Sequence, residues 1–201
     1  MKKRKSLWVT MVRLILVSLG IWLYQGDLPA EVVDAKYTSP SSQFLTLDDG
    51  ARIHFRDEGN RTGLPVVLIH GSMASLHTWE PWVGRLGKTY RIVTLDLPAH
   101  GLTGAVPSGD YSGAAQLRVV QAVTSHLNLD AFVLGGNSMG GGVSWRYALE
   151  HPESVLALIL VDASGPAAWY QARREAKPDK SSPLAFKLLG QSWFRAIAAR
   201  I

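Results

Sequence analysis

A chain of 201 residues, 47% hydrophobic and 18% charged, can bury a sizeable core and is too apolar for a disordered protein. It has no cysteine, which excludes disulfides, thiolate metal sites and a cysteine nucleophile. The +5 net charge sits at one end, because residues 1–25 hold Lys2, Lys3, Arg4, Lys5 and Arg13 and no acid; the balanced remainder offers no footprint for nucleic acid.

The N-terminus sets the basic cluster ahead of an apolar run from Leu7 to Tyr24. As a helix this run spans about 27 Å, close to the hydrocarbon thickness of a bilayer. Trp8 near one end, and Trp22 with Tyr24 near the other, fit the aromatic belts of a membrane. Residues 1–25 therefore read as a cytoplasmic basic tail and signal-anchor transmembrane helix, with Arg13 snorkelling and everything after Asp27 exported to the periplasmic or extracellular side. The competing reading is a cleaved leader, with Val33-Asp34-Ala35 or Leu28-Pro29-Ala30 as cleavage sites and a secreted product. A buried soluble helix leaves the basic cluster without a purpose. The lack of cysteine suits an oxidising compartment.

Residues 26–43 lose periodicity and carry Pro29, Pro40 and a serine-rich patch at 39–42, which reads as a linker. Residues 44–47, a turn at 48–50 and the alternating stretch 52–56 form a hairpin. The pattern then changes to strands apolar on both faces, at 65–69, 91–95, 131–134 and 155–161. Helical stretches at 79–86, 111–127 and 139–150 lie between them, the last ending before Pro152. This alternation predicts an α/β fold with a mostly parallel sheet and an N-terminal antiparallel hairpin. After residue 165 the chain turns polar over 170–182, then amphipathic from Pro183 to Ile201 with Phe186, Leu189, Trp193, Phe194 and Ile197.

Gly136-Asn137-Ser138-Met139-Gly140 fits G-x-S-x-G between a buried strand and a helix. Chemistry at Ser138 requires a sharp, strained strand-to-helix turn, and glycines two residues away on each side let the flanking backbone close in. The turn sets the hydroxyl above a helix N-terminus, where developing negative charge is favoured. His70-Gly71-Ser72 ends the strand 65–69, which should neighbour strand 131–134. The backbone N–H groups of Ser72 and Met139 then supply two donors for an oxyanion. His70 reads as a structural residue that positions this loop.

Taken together, residues 44 to about 165 resemble the α/β-hydrolase superfamily. The resemblance rests on the hairpin, Leu68-Ile69-His70-Gly71-Ser72, Asp96-Leu97-Pro98-Ala99-His100-Gly101, Gly136-Asn137-Ser138-Met139-Gly140-Gly141 and Leu160-Val161-Asp162. The chain looks like the lid-bearing branch that holds esterases, lipases, haloperoxidase-like enzymes and hydrolases of meta-cleavage products. It shares Gly-Asn-Ser-Met-Gly-Gly with the last group, but has Met73-Ala74-Ser75 where those enzymes carry a glycine-rich oxyanion loop.

The resemblance implies an α/β-hydrolase core over 44–165, incomplete at its C-terminal edge, and the start of a lid or cap over 166–201. It implies Ser138 as nucleophile, with Ser72 and Met139 as oxyanion donors. The family order is serine, acid, histidine. Asp162 is the candidate acid, although in most relatives an aspartate here is structural; Asp96 reads as a loop brace. Among the histidines, His54 lies on the hairpin, His126 and His151 near helix ends, and His77 and His100 on loops. None follows a strand beyond the lid, where the family's base belongs.

The expectation is a membrane-tethered serine hydrolase that transfers the acyl group of an ester or similar carbonyl compound, cut short inside its lid and inactive as it stands. A carbon–carbon bond hydrolase, a haloperoxidase-like enzyme and a non-catalytic binding module on the same fold are the alternatives. No cofactor or metal is implied. The partners expected are a small hydrophobic or ester substrate and a membrane, with oligomeric state left open. Strand 155–161 is expected to present an open, apolar sheet edge.

Overall fold

The computed structural model describes residues 2–24 and 28–166. The chain divides into two compact units: Lys2–Leu23 forms a helix, α1, of the first, and the described residues from Val33 onward belong to the second.

The second unit carries one six-stranded sheet. Its strands are β1 (Ser42–Thr46), β2 (Arg52–Gly59), β3 (Pro65–Ile69), β4 (Arg91–Leu95), β5 (Phe132–Asn137) and β6 (Val155–Val161). They lie in the order β1-β2-β4-β3-β5-β6. The hairpin β1–β2 pairs antiparallel, as does β2 with β4; the pairs β3–β4, β3–β5 and β5–β6 are parallel. After β3 the chain turns to β4 on one side, and then returns to set β5 on the other. That reversal opens a crevice at the carboxyl ends of β3 and β5, the place where ligands bind in sheets of this kind.

Both faces of the sheet are apolar because helices cover both. Val67, Ile69, Val93, Leu95 and Leu134 pack with α4 (Gly113–His126) and α5 (Met139–Glu150) through Val120, Val123, Val143 and Tyr147. Val66, Leu68 and Ile92 face the other way, against Trp79 and the partly buried Trp82, Val83 and Leu86. The last three lie on α3 (Glu80–Leu86), which follows a short 3-10 turn at Leu76–Trp79. Each fully buried aliphatic side chain contributes about 1.5–3 kcal/mol to holding these layers together.

Two differences from the sequence reading have physical causes. Part of the expected linker is a helix, α2 (Ala30–Tyr37), with Glu31 in its first turn and Lys36 in its last, the arrangement the helix dipole favours. Asp34 of α2 ties to Arg52 of β2 at 2.8 Å. Strand β2 runs on to Gly59, because Asp57 is buried between Arg91, at 2.8 Å, and Arg61. The basic and apolar N-terminal run forms α1; no helix among the described residues is long and apolar enough to cross a membrane, so the expected transmembrane span is not confirmed. Of the expected lid or cap segment, 166–201, all but residue 166 lies outside the described residues.

Among the described residues β6 stands at the end of the sheet order, with Leu156, Leu158 and Leu160 exposed by 57%, 39% and 47%. This is the open apolar edge expected from the sequence.

Candidate active site

The turn from β5 into α5 holds Ser138 at φ +50° and ψ −112°, a region that residues with a β-carbon rarely occupy. Backbone bonds on both sides keep it there. The Ser138 N–H donates to the Val161 carbonyl at 2.9 Å, and the Ser138 carbonyl accepts from the Ser164 N–H at 2.8 Å and the Gly142 N–H at 3.1 Å. The Asn137 side-chain amide donates to the same Val161 carbonyl at 3.2 Å. The turn is tight enough that a β-carbon on Gly136 would collide with the Gly140 backbone, and one on Gly140 with the carbonyls of Ile69 and His70. The glycines of the G-x-S-x-G motif therefore serve close approach, of the turn to itself and of α5 to β3. Ser138 remains half-exposed.

The second half of the site arrives from β3. Ile69 pairs with Gly136, so the chain leaving β3 runs alongside the serine turn. A β-carbon added to Gly71 would stand 2.7 Å from Asn137 Oδ1 and 3.4 Å from the Ser138 Cβ. Ser72 follows, exposed, and its hydroxyl meets the Met139 sulfur at 3.4 Å. The sulfur is also 3.8 Å from Gln116 Nε2. Met139 opens α5, so its N–H has no partner within the helix. Neither it nor the Ser72 N–H donates to another group among the described residues. Structure thus brings together Ser138, Met139 and Ser72. Asn137 and Gln116 were not singled out from sequence; Asn137 occupies the variable position of the motif, where nothing marks its role.

Behind this loop lies a buried polar network. The Asp96 carboxylate, fully buried, accepts the Leu76 N–H at 2.8 Å, the Leu102 N–H at 2.9 Å and His54 Nδ1–H at 2.8 Å. Burial acts to raise its pKa, but the bonds from His54, Leu76 and Leu102 outweigh this and hold it below the usual carboxylate range. His54 Nε2 in turn accepts from the Ser42 hydroxyl at 2.8 Å. A serine–histidine–aspartate relay therefore exists here, but between β1, β2 and the end of β4. His70 is buried beside it: Nδ1–H donates to the Gly71 carbonyl at 2.7 Å, and Nε2 accepts the Leu97 N–H at 3.1 Å. Burial pushes the His70 pKa down, with the His100 ring adding to the shift against the opposing pull of Gly71 and Asp96. His70 and Asp96 fix the two loops that border the crevice, as a positioning residue and a brace.

Asp162 directly follows β6 with φ +46° and an exposed side chain. Its neighbours Val161 and Ser164 bond the Ser138 backbone, yet its carboxylate bonds none of the six histidines. These are engaged elsewhere: His77 with Ser75 and Arg56, His100 with the Pro98 carbonyl, His126 against the Phe55 ring, and His151 with Glu153 and the Tyr147 ring. The described residues hold a strained serine beside two free N–H groups, with no histidine hydrogen-bonded to it.

Residues 65–184 match the family model described as alpha/beta hydrolase fold. The chain is 29% identical over 161 residues to a 2-hydroxy-6-oxo-6-phenylhexa-2,4-dienoate hydrolase of Burkholderia cepacia, covering 76% of this chain and 54% of that one. It is 33% identical over 122 residues to Lipase 1 of Psychrobacter immobilis, covering 60% of this chain and 38% of the lipase. Among solved structures it is similar to the esterase RhEst1 from Rhodococcus sp. ECU1013, at TM-score 0.56 and 32% identity over 61% of this chain and 46% of that one. The chain spans about half the length, or less, of these relatives.

Proposed function

This chain belongs to the alpha/beta hydrolase family, and from that premise we propose that it is a serine hydrolase acting on a hydrophobic ester or similar carbonyl compound. One observation carries the reading: the Gly71–Ser72 loop lies against Ser138, whose backbone is held at φ +50° at the mouth of a helix. In the proposed reaction Ser138 Oγ attacks the carbonyl carbon and loses its proton. The tetrahedral oxyanion lies between the Ser72 and Met139 N–H groups, the alcohol leaves, and water releases the acid. Two aimed donors of this kind are worth several kcal/mol to such a step.

The Ser138 proton needs an acceptor, and no histidine is hydrogen-bonded to that hydroxyl. Turnover by the chain as it stands is therefore expected to be slight, with Asp162 as the proposed acid. The direct test is covalent: a fluorophosphonate should label Ser138, mapped by peptide mass, and Ser138→Ala should remove the label. No labelling of a longer version that spans its relatives' full length would favour the second reading, a non-catalytic binding module on the same fold. Similarity to the dienoate hydrolase keeps carbon–carbon bond hydrolysis as an alternative for the same serine, separable with a dienoate substrate assayed beside simple esters.

We infer in addition that Lys2–Lys5 and the apolar run Leu7–Tyr24 direct export of the hydrolase unit, as a signal-anchor or as a leader that is cleaved. Protease added to intact spheroplasts should digest the hydrolase unit. Protection until lysis would refute export.

A further inference from the structure

A cavity of about 450 Å³ opens between α2, the loop after β3 and the loop after β4. Val33 and Tyr37 line it from α2, Ser75 and His77 from the first loop, and Gly101 and Leu102 from the second. Its size falls in the range of small-molecule sites, roughly 300–1,000 Å³. Ser72, Ser138 and Met139 are not among its lining residues, and the helix that forms one wall belongs to the stretch that reads from sequence as a linker.

The polar part of the wall is ordered by a chain of hydrogen bonds. Arg56, 4% exposed, donates from Nη1 to Glu80 at 2.8 Å and from Nη2 to His77 Nε2 at 3.0 Å. A guanidinium only donates, so His77 Nε2 is an acceptor and the ring proton resides on Nδ1. From Nδ1 it donates to Ser75 Oγ, 3.0 Å away. Among the described residues the Ser75 hydroxyl hydrogen has no acceptor, on a residue that lines the cavity. Behind it, Arg56 Nε and Trp79 Nε1 are the two buried side-chain donors without an acceptor among the described residues, and both belong to side chains of this same segment or bonded to it.

The charge on Arg56 is already matched by Glu80, and the remaining walls are apolar, so a carboxylate or phosphate would lose its hydration without a free counter-charge. We propose that this cavity binds a neutral, apolar small molecule bearing one hydrogen-bond-accepting oxygen, a ketone or ester carbonyl, held by the Ser75 hydroxyl. The site does not rest on the hydrolase reading, and a molecule bound there need not react.

Acetophenone and ethylbenzene, alike in shape but differing in the carbonyl oxygen, serve as probes in an NMR titration of the full chain. The amide signals of Ser75, His77 and Leu102 should move with acetophenone, which should bind roughly 3- to 10-fold tighter than ethylbenzene. Ser75→Ala should equalise the two, Ser75→Thr should restore the preference, and Val33→Trp should block both. Ser138→Ala should leave binding unchanged, which separates this site from the catalytic one. Shifts confined to Gly71, Ser138 and Met139, equal affinity for both probes in the wild type, or a preference that survives Ser75→Ala would each overturn the proposal.

Discussion

Gly71 and Ser138 approach so closely that a β-carbon on the glycine would lie 3.4 Å from the serine's own. The same added atom would stand 2.7 Å from Asn137 Oδ1, the far end of a side chain that can move aside. Gly71→Ala is therefore expected to fold, with a loss of about 1 kcal/mol or less, while shifting the Ser72 N–H from its seat. Fluorophosphonate labelling of Ser138 should slow by roughly 10- to 100-fold. Equal labelling rates in the two proteins would show that the loop contributes no donor.

Ser138 occupies a backbone region that glycine tolerates far better. Ser138→Gly should relieve strain of about 1 kcal/mol and raise the melting temperature by roughly 2–4 °C, while abolishing labelling. A lower melting temperature would mean that the serine's conformation is not strained.

Replacing Asp96 with Asn keeps the shape but puts an amide N–H₂ where a carboxylate oxygen accepts from Leu76, Leu102 or His54. At a fully buried site that mismatch should destabilise the chain by about 2–4 kcal/mol, read from chemical denaturation. A change below 0.5 kcal/mol would remove Asp96 as the brace of the two loops.

Stability should fall with acidification in two windows. The folded-state pKa of His70 is lowered, so the folded protein keeps it neutral while the unfolded chain takes up a proton near pH 6.5. Its contribution is complete above that pH and is lost as the pH falls toward the folded value. Protonating Nε2 would also expel the Leu97 N–H. The lowered pKa of Asp96 acts in the same direction, its contribution being lost below about pH 4. Melting temperatures from pH 8 to 4 should show both, and His70→Gln should flatten the slope between pH 5 and 6.5. A parallel curve for the variant would assign that slope to another group.

What was legible in the sequence follows from how local each signal is. The strands at 65–69 and 91–95 begin and end where the sequence places them, because both of their faces are buried; strand 155–161 has the same apolar composition although Leu156, Leu158 and Leu160 are exposed. The serine turn was legible for the same reason: strand, motif and helix are contiguous. Helix α2 was not, since eight residues with two adjacent valines carry no helical period. The buried Asp57 was hidden because Arg91, its partner, lies 34 residues away. The Ser42–His54–Asp96 relay joins three separate strands, and no spacing within the chain announces it. The oxyanion loop was assigned from the expected neighbouring of strands 65–69 and 131–134 and from the family resemblance, whereas its distance to Ser138 depends on the β3–β5 register.

Both backbone groups of Ser138 are fastened to residues at the exit of β6, which ends the described sheet on that side. The posture of the reactive hydroxyl thus inherits the firmness of that margin. Fraying at Val161–Ser164 would be felt directly at the oxygen, while equal loosening of the hairpin at the opposite border would have to travel across β4 and β3 to reach it.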